Sequence, residues 1–234
     1  MLAAMDLAAA VAPTTLARQR TLPVSNPLIP LFPDGALVRG RAVSCQGVAA
    51  TSLALALAAE PTTAGAWVAV VDVPWLGVEA AVELGIPLER LVRVDPGLSG
   101  SRSEWADLVG AVLDGFEVVV TRLPRHLSAT VARRVQARVQ AREAVLIAVG
   151  SSLSAAGRGP LPLDLTLEAT TAVWEGVEQG WGCLRGRRVT VTSTGRRVPR
   201  PRQVELWLPG PGGGVAAIEE REDVDVEPVL LSAG

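Results

Sequence analysis

The sequence of 234 residues contains no lysine and no tyrosine, and it has one histidine, two cysteines and eight aromatic residues. The absence of lysine excludes Schiff-base chemistry and the lysine that neutralises phosphates in a P-loop. His126, Cys45 and Cys183 lie far apart in the chain and have none of the spacings typical of a zinc or redox site. We therefore expect no metal site, and we also predict no catalytic residue and no cofactor.

The net charge of −2 conceals three blocks of opposite sign. Residues 1–121 carry 7 arginines and 12 acidic residues. Residues 122–202 carry 14 arginines and 5 acidic residues, and residues 203–234 carry 1 arginine and 7 acidic residues. The basic central block predicts either an anionic partner or neutralisation within the molecule, and the sequence leaves both open. The longest uncharged stretch, residues 42–59, includes polar residues and a glycine, so we interpret it as a strand and a buried helix, not a membrane span.

Strand and helix patterns alternate between residues 36 and 150, and this alternation is typical of a parallel sheet covered by helices. The pattern predicts strands at 41–45, 66–71, 91–94, 117–121 and 144–149, and helices at 49–59, 76–84, 101–113 and 127–142. After Gly150, three strands without helices (163–174, 188–194 and 203–208) are predicted at the sheet edge. We therefore divide the chain into an Ala/Pro-rich extension (1–34), a core (35–210) and an acidic, disordered tail (211–234).

Six segments, in order along the chain, resemble the core of RecA-type recombinases. In the first, a glycine, a basic turn and a strand lead into a loop and a helix, at the place where a recombinase binds phosphate. The segments are GALVRGRAVSCQGVAATSLALALAAE (35–60), WVAVVDVPW (67–75), LGIPLERLVRVDPG (84–97), FEVVVTRLP (116–124), VLIAVGSS (145–152) and RRVTVTSTGRRVPRPRQVELWLPG (187–210). The resemblance implies an α/β fold with a RecA-like core, in which a mostly parallel central sheet has flanking helices and antiparallel edge strands.

The phosphate loop of this resemblance is degenerate. A working loop reads G-x-x-x-x-G-K-[ST], because its backbone N–H groups surround the phosphates and its lysine neutralises them. Aligned on Gly47, the second glycine becomes Ser52 and the lysine becomes Leu53. Aligned instead on Thr51 and Ser52, the lysine position is Ala50. Neither alignment keeps the cation.

Two further positions depart from the recombinase pattern. Pro74 stands where these proteins carry a catalytic glutamate, and Thr121 replaces an acidic residue at the end of a later strand. We therefore predict a pseudo-ATPase that neither binds nor hydrolyses ATP usefully. The protein is accordingly predicted not to be an enzyme.

A degenerate RecA-like core with the arginine-rich, lysine-free composition of a GC-rich genome resembles ImuA-type (actinobacterial ImuA-prime) mutagenesis accessory proteins. The resemblance implies an adaptor in DNA-damage-induced (SOS) error-prone translesion synthesis. Its implied partners are an ImuB-type Y-family polymerase homologue, RecA and an error-prone C-family polymerase, and its implied location is the cytoplasm and, after damage, the nucleoid. A SulA-like division inhibitor, which would cause filamentation, and a divergent nucleotide-binding protein, which would have ATP affinity, are the alternatives.

Ten residues are candidates for a partner or DNA surface. Three arginines recur on one face of the predicted long helix, but no aromatic residue accompanies them, so we expect any DNA contact to be weak or indirect. Two tryptophans flanked by proline or glycine are predicted surface anchors, whereas the other tryptophans are predicted in the core. The acidic tail either binds a partner or screens the basic block. The candidates are Arg134, Arg138, Arg142, Arg197, Arg200, Trp75, Trp181, Glu222, Val226 and Leu230.

Overall fold

The computed structural model describes residues 20–96, 102–124, 126–150, 161–178 and 181–218, with side chains for all of these except residues 102, 103, 171, 177, 178 and 181. Among the described residues, no helix combines the length and the hydropathy needed to cross a bilayer. Residues 1–19 of the predicted extension and most of the predicted acidic tail lie outside the described residues.

Two sheets organise the described chain. A short antiparallel pair joins β1 (Thr21–Leu22) to β2 (Leu37–Val38). The nine strands of the central sheet are β3 (Ala42–Gly47), β4 (Val68–Val71), β5 (Leu91–Val94), β6 (Val118–Arg122), β7 (Val145–Val149), β8 (Leu165–Glu178), β9 (Trp181–Gly195), β10 (Val198–Trp207) and β11 (Ala216–Ala217). Their spatial order is β11-β10-β9-β8-β3-β7-β6-β4-β5. Strands β8 to β5 in that order are parallel, and β9, β10 and β11 continue the sheet antiparallel.

Within the described ranges, four α-helices and two 3-10 helices accompany the sheet. The α-helices are α1 (Ala50–Thr63), α2 (Val78–Glu83), α3 (Arg102–Leu113) and α4 (Ala129–Ala141), and the 3-10 helices are Asn26–Leu31 and Leu88–Arg90. Buried residues of α1 and α2 pack on one face of the sheet, and those of α3 and α4 pack on the other. The central parallel strands are apolar on both faces because both faces are covered. This architecture confirms the predicted α/β class and is compatible with a RecA-like core.

Several boundaries differ from those expected. Helix α1 continues through Pro61 to Thr63, four residues beyond the predicted end. A proline in the last turn removes only one backbone donor, so the helix can continue past it. The Thr62 hydroxyl, which lies within hydrogen-bond distance of the carbonyls of Ala58 and Ala59, provides a side-chain donor in the same turn. In addition, β8 pairs parallel with β3 and antiparallel only with β9, so the first of the three late strands extends the parallel array.

The second half of the predicted N-terminal extension is part of the core. Leu28 and Leu31, on the first 3-10 helix, are fully buried, and Phe32 is almost so. The Arg202 guanidinium donates to the carbonyls of Pro30 and Phe32, which fastens this segment to β10. The segment therefore packs against the antiparallel side of the sheet.

Candidate functional site

The junction between β3 and α1 lies at the carboxyl edge of the parallel strands, where a phosphate loop would lie. Strand β3 ends at Gly47 and α1 begins at Ala50, so only two residues connect them. Gly47 has a φ of 84°, and a Cβ added there would collide with the carbonyl oxygen of Ala169 on β8. The Val48 N–H donates to that same oxygen at 3.0 Å. A loop this short and this close to β8 does not provide the ring of free N–H groups that surrounds phosphates.

Side chains from elsewhere in the chain cover the first turn of α1. The Trp75 indole N–H donates to the Thr51 hydroxyl at 2.9 Å, and the Arg187 guanidinium donates to the Ser52 hydroxyl at 2.8 Å. Arg187 also donates from Nε to the Leu208 carbonyl at 2.8 Å. Both hydroxyls of the degenerate loop are therefore engaged by the protein itself.

Arg187 is the most enclosed cation of this edge. Its residue is 9% exposed, and burial lowers the pKa of its guanidinium, an effect that the charge of Glu83 opposes. The Trp174 ring lies 4.9 Å from the guanidinium carbon, within the range of a cation–π interaction. Arg187 thus joins the start of α1 to an aromatic residue of β8.

The positions where a recombinase has carboxylates also hold structural contacts. Pro74 is exposed, and its carbonyl accepts a long hydrogen bond from Arg93 at 3.5 Å. Thr121 is buried, and its hydroxyl accepts from the Trp105 indole at 3.2 Å. Neither side chain can act as a general base, because neither has a titratable group near neutral pH.

Asp72 is an acidic residue beside this edge. It follows β4 with a φ of 55°, which is uncommon outside glycine. Its carboxylate accepts from the Arg122 guanidinium at 3.0 and 3.2 Å, and Arg122 lies 5.6 Å from the Trp75 ring. The carboxylate is therefore paired with a cation that also contacts the tryptophan covering α1.

The predicted arginine stripe on α4 is neutralised by α3. Arg134 pairs with Asp107 at 2.7 Å, and Asp114 pairs with both Arg138 and Arg142. The hydrogen bond from Arg138 is the main cause that lowers the pKa of Asp114, and the same pair raises the pKa of Arg138. For this part of the basic block, the structure therefore provides neutralisation within the molecule.

The other candidate residues are dispersed. Arg197 lies in the turn between β9 and β10, and Arg200 lies exposed on β10. Trp75 is 53% exposed, and its role as a surface anchor stays a prediction. The side chain of Trp181 and the candidates of the acidic tail, Glu222, Val226 and Leu230, lie outside the described side chains and residues.

Sequence reasoning missed Arg187. It was also wrong to place Trp67 and Trp174 in the core, because Trp67 is 39% exposed and Trp174 is about half exposed. Trp174 is 49% exposed, because β8 continues past its last pairing with β3 at Ala169 and leaves its upper part without that neighbour. The predicted strand 163–174 was longer than its neighbour, and that excess length was a signal for an exposed upper end. No sequence signal indicated that Arg187 would contact Ser52, which lies 135 residues earlier.

Residues 30–154 match the model of the family described as the MT3502 N-terminal domain. Over 149 residues, the chain is 30% identical to the "Uncharacterized protein Rv3395c" of Mycobacterium tuberculosis, a match that covers 63% of this chain and 71% of that protein. The family match extends from the first 3-10 helix past the end of β7 and includes the junction between β3 and α1. The chain therefore belongs to the MT3502 N-terminal domain family.

Proposed function

We propose that this protein is a non-catalytic, RecA-like adaptor in DNA-damage-induced error-prone translesion synthesis, acting through protein–protein contacts. The observation that carries the proposal is the closed carboxyl edge, where Trp75 and Arg187 bind the hydroxyls that begin α1. A scaffold whose phosphate loop is filled by its own side chains is suited to binding a partner. The resemblance of a degenerate RecA-like core of this composition to ImuA-type proteins supports this biological setting.

The contact surface of this proposal is the tryptophan edge, which we define as Trp75 and Trp174. Trp75 contacts the first turn of α1 through Thr51, and Trp174 is linked to that turn through Arg187, which donates to Ser52. Each ring is about half exposed. Partly exposed tryptophans held in place by hydrogen bonds and cations are typical anchors of protein interfaces.

Exposed aliphatic side chains also lie near the carboxyl edge. Val48 lies between β3 and α1, Leu184 lies on β9, and both are exposed. Apolar residues around aromatic anchors exclude water from an interface. The partner that we propose for this surface is the ImuB-type Y-family polymerase homologue, with RecA and a C-family polymerase as further members of the assembly.

The test is a binding measurement between the full chain and the purified ImuB-type homologue. We expect a Trp75→Ala/Trp174→Ala double variant to bind at least about 30-fold more weakly, the loss typical of even one hot-spot residue. Trp67→Ala is the matched control, because Trp67 is also partly exposed but lies before β4, at the opposite edge of the sheet. Equal affinities for the wild type and the double variant would show that the tryptophan edge is not the contact surface. If the wild type and both variants failed to bind the ImuB-type homologue, the proposed adaptor function would be wrong.

A further inference from the structure

A second site lies at the opposite, amino edge of the parallel strands. An open cleft of about 470 Å³ forms there between the start of β3, the end of α4, the start of β8 and the turn between β9 and β10. Five arginines from three separate segments line it: Arg20, Arg39, Arg41, Arg196 and Arg197. We name this the amino-edge cleft. Its volume lies in the range of small-molecule sites, and its lining is predominantly polar.

Backbone hydrogen bonds place the arginines. The Arg39 N–H donates to the Arg20 carbonyl at 2.9 Å, and the next residue, Gly40, donates to the Ala144 carbonyl at 2.9 Å. Arg196 and Arg197 form the two-residue turn between β9 and β10, whose flanking residues are paired. The cations are therefore brought together by the fold itself, although their side chains repel one another.

These arginines lack the compensation that the arginines of α4 have. Arg20, Arg39, Arg196 and Arg197 form no ion pair with any residue that the structure describes, and Arg41 approaches Asp34 only to 3.8 Å. The carboxylates that line the cleft, Glu143 and Asp164, number two against five arginines. The cleft therefore has an excess of positive charge that an anion would neutralise.

Gln136 gives the cleft a second requirement. It lines the cleft from α4, only 9% of it is exposed, and its Oε1 has no hydrogen-bond partner among the described residues. A buried acceptor without a partner costs free energy, which a ligand N–H or O–H donor would recover once a rotation of the side-chain amide turned Oε1 toward the cleft. A ligand that fits both observations has anionic oxygens for the arginine forks and a donor group beside them.

We propose that the amino-edge cleft binds the phosphates of a nucleic-acid strand, with a base or sugar donor reaching Gln136. Nucleotides combine these two groups, and phosphate oxygens match the planar guanidinium geometry. The site is at the other end of the sheet from the degenerate phosphate loop. It requires neither the tryptophan edge nor the proposed adaptor function, so the two proposals succeed or fail separately.

The first experiment measures fluorescence anisotropy of a labelled single-stranded oligonucleotide of mixed sequence with the full chain. We expect Arg196→Ser/Arg197→Ser to weaken binding about tenfold or more. The slope of log affinity against log salt should become shallower by about 0.7 for each phosphate that the variant no longer neutralises. Arg93→Ser/Arg185→Ser is the control with the same charge change, since both arginines are exposed and lie on β5 and β9 outside the cleft. An equal decrease in affinity for both double variants, or no binding by the wild type at low salt, would overturn the proposal.

The second experiment separates the two requirements of the ligand. Gln136→Met removes the buried acceptor while keeping the side chain's length, and thermal unfolding verifies that the variant folds. We expect about fivefold weaker binding of the oligonucleotide and unchanged binding of pyrophosphate, which offers no base or sugar donor. Binding of adenosine monophosphate is measured in the same way. If that binding is lost in Arg196→Ser/Arg197→Ser, the cleft also binds free nucleotides through the same arginines. Pyrophosphate binding without any oligonucleotide binding would overturn the proposal.

Discussion

At the scale of single residues, Gly47 illustrates how one position acquires a different role on a degenerate core. In a phosphate loop, a glycine lets backbone N–H groups reach the ligand. Here its φ of 84° and its missing Cβ let β3 pass the Ala169 carbonyl, which also accepts from Val48. The requirement for glycine has therefore become one of strand packing.

Gly47→Ala tests that role. The new methyl group would collide with the backbone of β8, and the alanine would have to keep the left-handed backbone conformation of the glycine. We therefore expect the free energy of unfolding to fall by about 3 kcal/mol. Gly65→Ala is the matched control: its φ is also positive, at 102°, but no atom lies within 4 Å of the added carbon. It should cost about 1 kcal/mol, the conformational part alone. Urea denaturation measures both, and equal destabilisation by the two substitutions would contradict a packing role for Gly47.

At the scale of secondary-structure elements, ion pairs connect α3 and α4: Asp107 pairs with Arg134, and Asp114, just after α3, pairs with two arginines. Asp114 receives Arg138 and Arg142 from the facing helix, and these contacts lower its pKa. A lowered folded-state pKa means that the ionised form stabilises the fold above the ordinary carboxyl pKa of about 4. That stabilisation is lost as the pH falls through the lowered value.

Asp114→Asn should therefore flatten the acid side of the stability profile. We expect the urea midpoint of the wild type to decrease below about pH 4 more steeply than that of the variant. Arg138→Gln should reproduce most of this flattening, because Arg138 is the main cause of the pKa shift. The double variant should add little to either single change, as expected for residues in direct contact. Parallel profiles for the wild type and Asp114→Asn would contradict the assignment.

The elements themselves were largely predictable from sequence, and their pairing was less so. Apolar runs such as Val145–Val149 predict buried strands, and the strand Leu91–Val94 has the predicted bounds. Periodicity identifies an element but contains no information about its neighbour, so the parallel pairing of β8 with β3 was not predicted. The prediction ended α1 at residue 59, whereas the helix continues through Pro61, because a proline near a helix end removes only one hydrogen bond.

The candidate site was predictable only as an absence. The missing lysine and the changes at Pro74 and Thr121 can be read from the chain, since they are departures at fixed positions of a pattern. Which side chains occupy the resulting space cannot be read in this way. Arg187 reaches Ser52 because β9 pairs with β8 and β8 pairs with β3, which is a property of the folded sheet.

At the scale of the whole molecule, the two edges of the parallel strands have opposite characters. At the carboxyl edge, the cations Arg122 and Arg187 contact Asp72 and Ser52, and tryptophans cover the start of α1. At the amino edge, four arginines have no ion pair with a described residue, and a buried glutamine acceptor has no partner among the described residues. This difference predicts that a protein partner and a phosphate ligand use opposite edges and do not exclude each other.

The corresponding experiment measures both ligands on the same set of variants. Trp75→Ala/Trp174→Ala should lose the ImuB-type partner and keep the oligonucleotide, whereas Arg196→Ser/Arg197→Ser should do the reverse. Thr51→Ala should leave oligonucleotide and nucleotide binding unchanged, because its hydroxyl already accepts the Trp75 indole at the closed edge. A nucleotide affinity that depended on Thr51 and magnesium would contradict the assignment, since it would place phosphate at the loop that Trp75 and Arg187 fill. The two edges are separated by the length of the strands, so a change at one edge should not affect binding at the other. If one double variant lost both ligands while its thermal unfolding stayed unchanged, a single surface would bind both, and the assignment of opposite edges would be wrong.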